Sequence, residues 1–301
     1  MRAQSDERHP DLRVALNNLL DSGGKRVRPT LSLLVGNMLG AEPVPLITFA
    51  AAIEMLHTAT LVHDDLIDGS LMRRGNETLN AKWTPAATVL TGDFIFARAA
   101  KLAAETGSLT IMEEFAETLA IIVNGELTQR FDSRGLADYG NYYQRIYAKT
   151  GSLFELSTHG AAIISPVDQT TTENARTFGR ELGTAFQIVD DILDFTGDQK
   201  AVGKPVGNDL LQGLITLPAL YYIEENPNDD NVKALLDSGY HNKNKMAALV
   251  QSIRESDAIQ RALVEAKEYA NRALAALDGQ PQGEERKALE ALVKYVTDRE
   301  I

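Results

Sequence analysis

Apolar residues recur every three or four positions along most of the chain, which is the period of an α-helix that buries one face. Ile259, Leu263, Ala266, Ala270 and Leu277 show this spacing near the C-terminus. No stretch alternates cleanly between apolar and polar residues, as a half-buried strand would. The pattern therefore predicts an all-α fold built as a helical bundle.

Prolines, glycines and a serine mark the predicted helix ends. Pro29 is expected to open a helix that Gly40 closes, and Pro85 to open one that runs to Gly107. Ser256 is the expected N-cap of the next-to-last helix. Loops are predicted where most of the remaining Gly, Asn, Asp and Pro residues lie, at 69–84, 133–138, 197–213 and 226–232.

Charge and composition exclude several classes of protein. The chain has 301 residues, 44% hydrophobic content and a net charge of -12, so its field repels nucleic acid and anionic membranes. The absence of cysteine excludes disulfides, thiolate metal sites and a cysteine nucleophile. Residues 1–13 are polar, unlike a signal peptide, and no uninterrupted apolar run approaches the roughly 20 residues of a membrane span. We expect a cytoplasmic protein with no transmembrane segment and no nucleic-acid partner.

One short acidic pattern, Asp-Asp-x-x-Asp, occurs twice, as HDDLID at 63–68 and VDDILD at 189–194. At 3.6 residues per turn, the outer carboxylates of each cluster share a helix face and the middle one points about 100° away. The two carboxylates on the shared face repel each other, and they lie near the C-terminal end of a predicted helix, where the helix dipole disfavours anions. A solvated charge run would explain either cluster alone. Two such clusters offer only oxygen atoms as ligands, which indicates that they bind a hard divalent cation, Mg²⁺ rather than Zn²⁺.

Basic residues accompany both clusters. Mg²⁺ binds few carboxylates and completes its shell with water and phosphate, so two facing acidic half-sites would hold a polyphosphate between them. The segment GGKRVRP at 23–29 leads into a predicted helix and offers an oxyanion cradle, although alone it would be a plain surface turn. The other candidate phosphate contacts are Arg73, Arg74, Lys149, Thr150 and Lys204.

Five motifs in this order resemble the trans-isoprenyl diphosphate synthases, the polyprenyl synthetases, over about residues 23–220: GGKRVRP, HDDLIDGSLMRRG, Lys149-Thr150, FQIVDDILDFTGD and GKPVGNDLLQGLITLP. The resemblance implies one domain over 1–301, an all-α bundle around a deep central cavity. It implies a Mg²⁺-dependent prenyltransferase that condenses isopentenyl diphosphate with an allylic prenyl diphosphate, with ionisation, condensation and proton loss. It also implies a homodimer, and the sequence leaves open whether a small partner subunit is needed.

The resemblance implies a role for each matched residue, with about three Mg²⁺ ions when substrate is bound. Asp64 and Asp68 match the ligands of two ions, and Asp190, with Asp194 more remote, those of a third. The residues that match contacts to the allylic diphosphate are Arg73, Lys149, Thr150, Gln187 and Lys204. Those that match the isopentenyl diphosphate pocket are Lys25, Arg28, His57 and Arg74. The predicted catalytic residues are Asp64, Asp68, Asp190, Lys149 and Lys204.

Small residues about one turn before Asp64 bear on product length. One isoprene unit compares with one helical turn of about 5.4 Å, so this helix measures the growing chain. Ala59 and Thr60 stand where short-chain members of the family tend to place an aromatic ring, and Leu56 lies one turn deeper as a candidate floor. An open cavity here predicts a product of more than about twenty carbons. Alternatively, the small residues only permit close helix packing.

Other functions stay open from the sequence. A farnesyl or geranylgeranyl diphosphate synthase would make a shorter product by the same chemistry. A terpene cyclase also ionises a prenyl diphosphate, but it needs no second diphosphate clamp such as GGKRVRP. A non-catalytic prenyl-diphosphate-binding or regulatory subunit has no need for two complete acidic clusters. The C-terminal DREI lacks the basic tail with which some relatives close the site.

Overall fold

Helices make up most of the computed structural model, which describes residues 10–21, 23–73, 75–131, 138–197, 206–238 and 242–299. The chain divides into two compact units. The first unit comprises Met1–Glu117 and Leu156–Thr172, and the second comprises Thr118–Glu155 and Glu173–Ile301. The predicted all-α class is confirmed, apart from one small hairpin described below.

Long helices and one hairpin build the first unit. The strands β1 (Met72–Arg73) and β2 (Asn76–Glu77) pair antiparallel inside the predicted 69–84 loop. The helices of this part of the chain are α1 (Pro10–Asp21), α2 (Val27–Met38), α3 (Pro43–Ile67), α4 (Leu79–Lys82), α5 (Pro85–Glu105) and the beginning of α6 (Leu109–Phe131).

The helix α3 is the core of the first unit. Phe49, Ile53 and Leu56 on it are fully buried. A glycine elsewhere in the unit lets another segment pack closely against this helix, because a Cβ at Gly160 would overlap the Phe49 ring. Among the described residues α3 alone is long and apolar enough to cross a membrane, but half of its apolar window is buried inside the protein. That burial is typical of a core helix, so the feature is weak evidence for a membrane span.

The second unit continues α6 and adds helices up to the C-terminal region. Its core includes the fully buried residues Phe195, Leu210, Met246, Leu249 and Ile253. A five-residue π-helical turn, Tyr147–Gly151, also belongs to this unit. Two further helices are divided between the units at residues 155/156 and 172/173, namely α8 (Ser152–Ile163) and α9 (Gln169–Thr196). The helices wholly in the second unit are α7 (Tyr139–Ile146), α10 (Asn208–Leu211), α11 (Leu217–Glu225), α12 (Asp230–Ser238), α13 (Lys243–Arg254), α14 (Ala258–Ala276) and α15 (Glu284–Thr297).

Most predicted helix ends agree with the structure. Gly40 and Gly107, with φ of 79° and 75°, follow α2 and α5 in the left-handed conformation that glycine adopts without strain. The expected N-cap at Ser256 is wrong by one residue, since Asp257 precedes α14. Ser256 still serves the helix start, because its hydroxyl accepts from the Ala258 N–H at 3.2 Å.

The predicted loops hold more structure than expected. The 69–84 segment contains the hairpin and α4, the 197–213 segment contains α10, and α12 begins within 226–232. The predicted 133–138 loop lies outside the described residues except for residue 138. These short elements are too brief for a periodic pattern to reveal.

Candidate functional site

The first acidic cluster forms the end of α3. Asp64 is half-buried in the last turn, and Asp68 is the exposed C-cap, whose N–H donates to the Asp64 carbonyl at 2.8 Å. Asp65 is buried and accepts a hydrogen bond from Arg73 Nε at 2.8 Å. The middle carboxylate thus serves the protein interior, as the helical spacing predicts, and the outer two stay accessible to a ligand.

His63, next to this cluster, fixes the end of α3 against α5. Its Nε2 lies 3.2 Å from the Val89 carbonyl oxygen and 3.5 Å from a carboxylate oxygen of Asp93. Gly92 makes room for the imidazole, because a Cβ at that position would overlap the ring. The contact is structural, and no sequence pattern signals it, because the glycine lies 29 residues away.

The basic segment 23–29 meets α3 about two to three turns before Asp64. Arg28 Nη1 lies 3.2 Å from His57 Nε2, and Lys25 is exposed just before α2. The structure therefore brings together two residues of the predicted isopentenyl diphosphate pocket and places a third on the same segment. Arg74, the fourth, lies outside the described residues.

The predicted chain-length residues line the inner turns of α3. Ala59 and Leu56 are fully buried, and the half-buried Thr60 donates its hydroxyl proton to the His57 carbonyl at 2.8 Å. Burial of this kind fits either the wall of a cavity or close helix packing. The role of these residues in setting product length stays a prediction.

The second acidic cluster lies in the last two turns of α9. Asp190 Oδ1 accepts a hydrogen bond from Arg299 Nη1 at 2.5 Å, and the guanidinium lies 4.0 Å from the centroid of the Phe186 ring. Asp194 instead supports the start of α10, since its Oδ2 accepts from the Asp209 N–H at 3.1 Å. The two outer carboxylates of this cluster therefore have different surroundings, and Asp190 already faces a cation.

The middle residue, Asp191, is the centre of a buried hydrogen-bond chain. It accepts from the Tyr142 hydroxyl at 2.7 Å and from Gln187 Nε2 at 2.9 Å. Gln187 in turn accepts from the Thr150 hydroxyl at 2.6 Å. Burial raises the pKa of the Asp191 carboxyl from 3.8 to about 7, although both hydrogen bonds act in the opposite direction. Two predicted allylic-diphosphate contacts, Thr150 and Gln187, are thus held in place by Asp191.

The π-helical turn Tyr147–Gly151 presents Lys149 and Thr150. Its i→i+5 hydrogen bonding takes up one more residue than a regular turn does, and such bulges are frequent at functional sites. The Lys149 ammonium lies 4.0 Å from a carboxylate oxygen of Glu126 and is partly exposed. Lys204, the other predicted catalytic lysine, lies outside the described residues.

The family is decided by comparison with known proteins. The family model described as Polyprenyl synthetase matches residues 9–253. The chain belongs to this family. Heptaprenyl diphosphate synthase component 2 of Geobacillus stearothermophilus is 37% identical to this polyprenyl synthetase over 306 residues, which cover 99% of this chain and 93% of the relative.

Two solved structures superpose on this polyprenyl synthetase over its whole length. A heptaprenyl diphosphate synthase from Staphylococcus aureus matches with a TM-score of 0.94 and 34% identity, covering 100% of this chain and 95% of that one. A polyprenyl synthase from Caulobacter crescentus CB15, complexed with calcium and isoprenyl diphosphate, matches with a TM-score of 0.91 and 33% identity, covering 100% and 92%. The predicted family and the predicted class of enzyme, a trans-prenyltransferase, are confirmed.

Proposed function

We propose that this polyprenyl synthetase condenses isopentenyl diphosphate with an allylic prenyl diphosphate to give an all-trans product of more than about twenty carbons. One observation carries the assignment of the site. On the single helix α3, the Arg28–His57 pair lies seven residues before Asp64, about 10 Å along the axis. One helix thus supports a cationic clamp and a separate carboxylate face, as two diphosphate substrates require and a terpene cyclase does not.

Mg²⁺ suits the carboxylates of the proposed site. Asp64 and Asp68 share one accessible helix face, and Asp190 already accepts a cationic group, the Arg299 guanidinium. Within the described ranges no three His, Asp or Glu side chains are grouped to hold a metal. Mg²⁺ does not need such a cage, since it keeps waters and takes substrate phosphate oxygens. In the proposal Asp64, Asp68, Asp190 and Asp194 hold about three ions.

The protein's own groups would divide the work on the two substrates. The allylic C–O bond breaks and its diphosphate leaves, while the alkene of isopentenyl diphosphate supplies the electron pair for the new C–C bond. Bound Mg²⁺ would stabilise the charge that develops on the leaving diphosphate. In the proposal this diphosphate also contacts Arg73, Lys149, Thr150, Gln187 and Lys204.

The second substrate needs its own clamp, because its alkene and not its diphosphate must reach the new cation. In the proposal Lys25, Arg28, His57 and Arg74 hold that diphosphate. Condensation leaves a tertiary cation, which loses one proton to form the new double bond. No side chain is assigned as the base, and the released diphosphate would take the proton.

Relatives support a long product and a larger assembly. Two of the three compared above are named heptaprenyl diphosphate synthases, and one of these carries the name component 2. We therefore include in the proposal a product near that length, a homodimer in the cytoplasm and, as an option, a small partner subunit. The Caulobacter crescentus structure, with calcium and isoprenyl diphosphate, supports binding of a divalent cation and a prenyl diphosphate.

The experiment is an incubation of the purified chain with isopentenyl diphosphate and each of three starters, geranyl, farnesyl and geranylgeranyl diphosphate, in Mg²⁺ or in EDTA. Radio-TLC of the dephosphorylated products sizes the chains. We expect linear products beyond twenty carbons in Mg²⁺ and none in EDTA. A fifteen- or twenty-carbon end product would favour the short-chain alternative, a cyclised hydrocarbon would favour a cyclase, and no turnover at all would favour a regulatory subunit.

A further inference from the structure

A buried carboxylate on α3 lies between the hydrophobic core and the basic segment. The Glu54 side chain is 7% exposed, and its neighbours Ile53 and Met55 are buried apolar residues. An ionised carboxylate in such surroundings is strongly unfavourable unless it is paired. Its partner is the Arg26 guanidinium, which donates a hydrogen bond to Glu54 Oε1.

Arg26 has an unusual backbone. With φ of 49° and ψ of 35°, it is the one non-glycine residue with positive φ in the described part of the chain. A side chain with a Cβ is strained in this left-handed conformation, so the surrounding structure must hold it there. The Glu54 carboxylate supplies a charged hydrogen bond in this geometry, and it thereby opposes the strain.

The same contact sets where the rest of the segment lies. Glu54 and His57 are three residues apart and so share one face of α3, where they meet Arg26 and Arg28. Two side chains of the segment thus reach two positions about one turn apart on the helix. If the first contact were lost, the start of α2 would be free to rotate, and Arg28 would no longer be held at His57.

We propose that Glu54 is a positioning residue for the isopentenyl diphosphate pocket and that Arg26 is its counter-ion rather than a substrate ligand. This inference rests on the proposed function. Of the three cations in GGKRVRP, only Lys25 and Arg28 would then bind the diphosphate. Neutralisation by Arg26 also keeps the negative charge of Glu54 from repelling the anionic substrate.

The test measures affinity for each substrate separately. Glu54→Gln removes the charge but not the volume, so we expect the KM for isopentenyl diphosphate to rise about tenfold, the equivalent of one charged hydrogen bond. The KM for the allylic diphosphate and kcat should change less than about twofold, because no allylic contact depends on the segment. Calorimetric binding of isopentenyl diphosphate alone, without metal or starter, gives the same comparison without turnover. Glu114→Gln, which alters a half-buried carboxylate 3.5 Å from His159, is the matched control.

A double variant separates positioning from substrate contact. If Arg26 acts only as the counter-ion of Glu54, the two residues share one contact, so Glu54→Gln combined with Arg26→Gln should raise the KM for isopentenyl diphosphate no more than Glu54→Gln alone, about tenfold. A markedly larger rise in the double variant would overturn the proposal, since Arg26 would then contact the substrate itself. Equal changes in both KM values, or no change, would also overturn it. If the unmodified protein does not bind isopentenyl diphosphate, the proposed function fails instead.

Discussion

The guanidinium of Arg299 donates a hydrogen bond to one carboxylate oxygen of Asp190, with Nη1 lying 2.5 Å from Oδ1. Stacking on Phe186 leaves the arginine side chain 10% exposed, although it follows the last helix. Its Nε and Nη2 have no hydrogen-bond partner in the part of the protein that the structure describes. The contact is therefore a close ion pair whose cation is only partly satisfied, at a carboxylate to which we assign a Mg²⁺ ion.

Arg299→Gln should lower the Mg²⁺ concentration that half-saturates the protein in the presence of inorganic pyrophosphate. A cation that must leave Asp190 before Mg²⁺ binds weakens the apparent affinity, and a pair of this exposure is worth up to about 1 kcal/mol, or about fivefold. A Mg²⁺ titration followed by thermal stabilisation measures the midpoint. Lys294→Gln, an equal charge change on the exposed face of α15, is the control. A higher midpoint in Arg299→Gln would mean that the arginine contacts the pyrophosphate instead.

Asp64→Ala and Asp190→Ala should each reduce kcat about a thousandfold or more, because each removes a ligand of the ions that stabilise the leaving diphosphate. For Asp64→Ala the free energy of unfolding should stay the same or rise slightly, since the change relieves repulsion from Asp68 one turn away. For Asp190→Ala it should fall by about 1 kcal/mol, because Arg299 loses its partner. Steady-state kinetics and urea denaturation measure the two quantities. Asp278→Ala, a change at a side chain that is 81% exposed, should alter neither. Undiminished kcat in either acidic-cluster variant would remove that residue from the mechanism.

Ala59→Phe distinguishes a cavity from close packing at α3. If the product chain grows past this position, the ring blocks it, and the main product should shorten to about twenty carbons or fewer. If no space is present, the ring overpacks a fully buried site and lowers the free energy of unfolding by about 1–3 kcal/mol. Radio-TLC and urea denaturation on the same preparation decide between these results. An unchanged product from a folded variant would remove Ala59 from the control of chain length.

Asp191 should make the protein less stable as the pH rises from 6 to 8 in EDTA. Its pKa is about 7 in the folded protein, against 3.8 for a carboxyl exposed to water, so between these values the folded state binds more protons than the unfolded state. The stabilisation is complete below pH 3.8 and is lost as the pH rises through 7. Relative to Asp191→Asn, the unmodified protein should lose about 1.4 kcal/mol of unfolding free energy between pH 6 and pH 8. A parallel pH dependence of both proteins would contradict the raised pKa.

Helical periodicity was enough to predict the class of fold and the division within each acidic cluster. The outer residues Asp64 and Asp68 stay accessible while Asp65 is buried on Arg73, because 3.6 residues per turn dictate which side chains share a face. The resemblance to the polyprenyl synthetases implied that Arg28 and His57 belong to one pocket, and the structure places them in contact. Both inferences depend on local geometry or on several motifs occurring together.

Contacts between distant segments could not be predicted in this way. Glu54 is a single charged residue within an apolar stretch of α3, and its partner Arg26 lies 28 residues earlier in the sequence. The C-terminal DREI has no basic tail, yet Arg299 within it reaches Asp190 across 109 residues. The sequence offered Arg26 as a candidate oxyanion contact but gave no sign of either pairing, because a buried ion pair is specified by packing, and packing leaves no periodic signal along the chain.

The extra residue in the π-helical turn restricts how this region can change. Between Tyr147 and Gly151 the backbone carries one position more than a regular helix of that span. Because a π turn winds its extra residue into nearly the same rotation as a regular turn, loss of a single codon there would restore ordinary winding and leave the later side chains of α8 facing as before. Such a deletion would remove the bulge that presents Lys149 and Thr150 while keeping α8 in register, so we expect it to impair the site more than the fold.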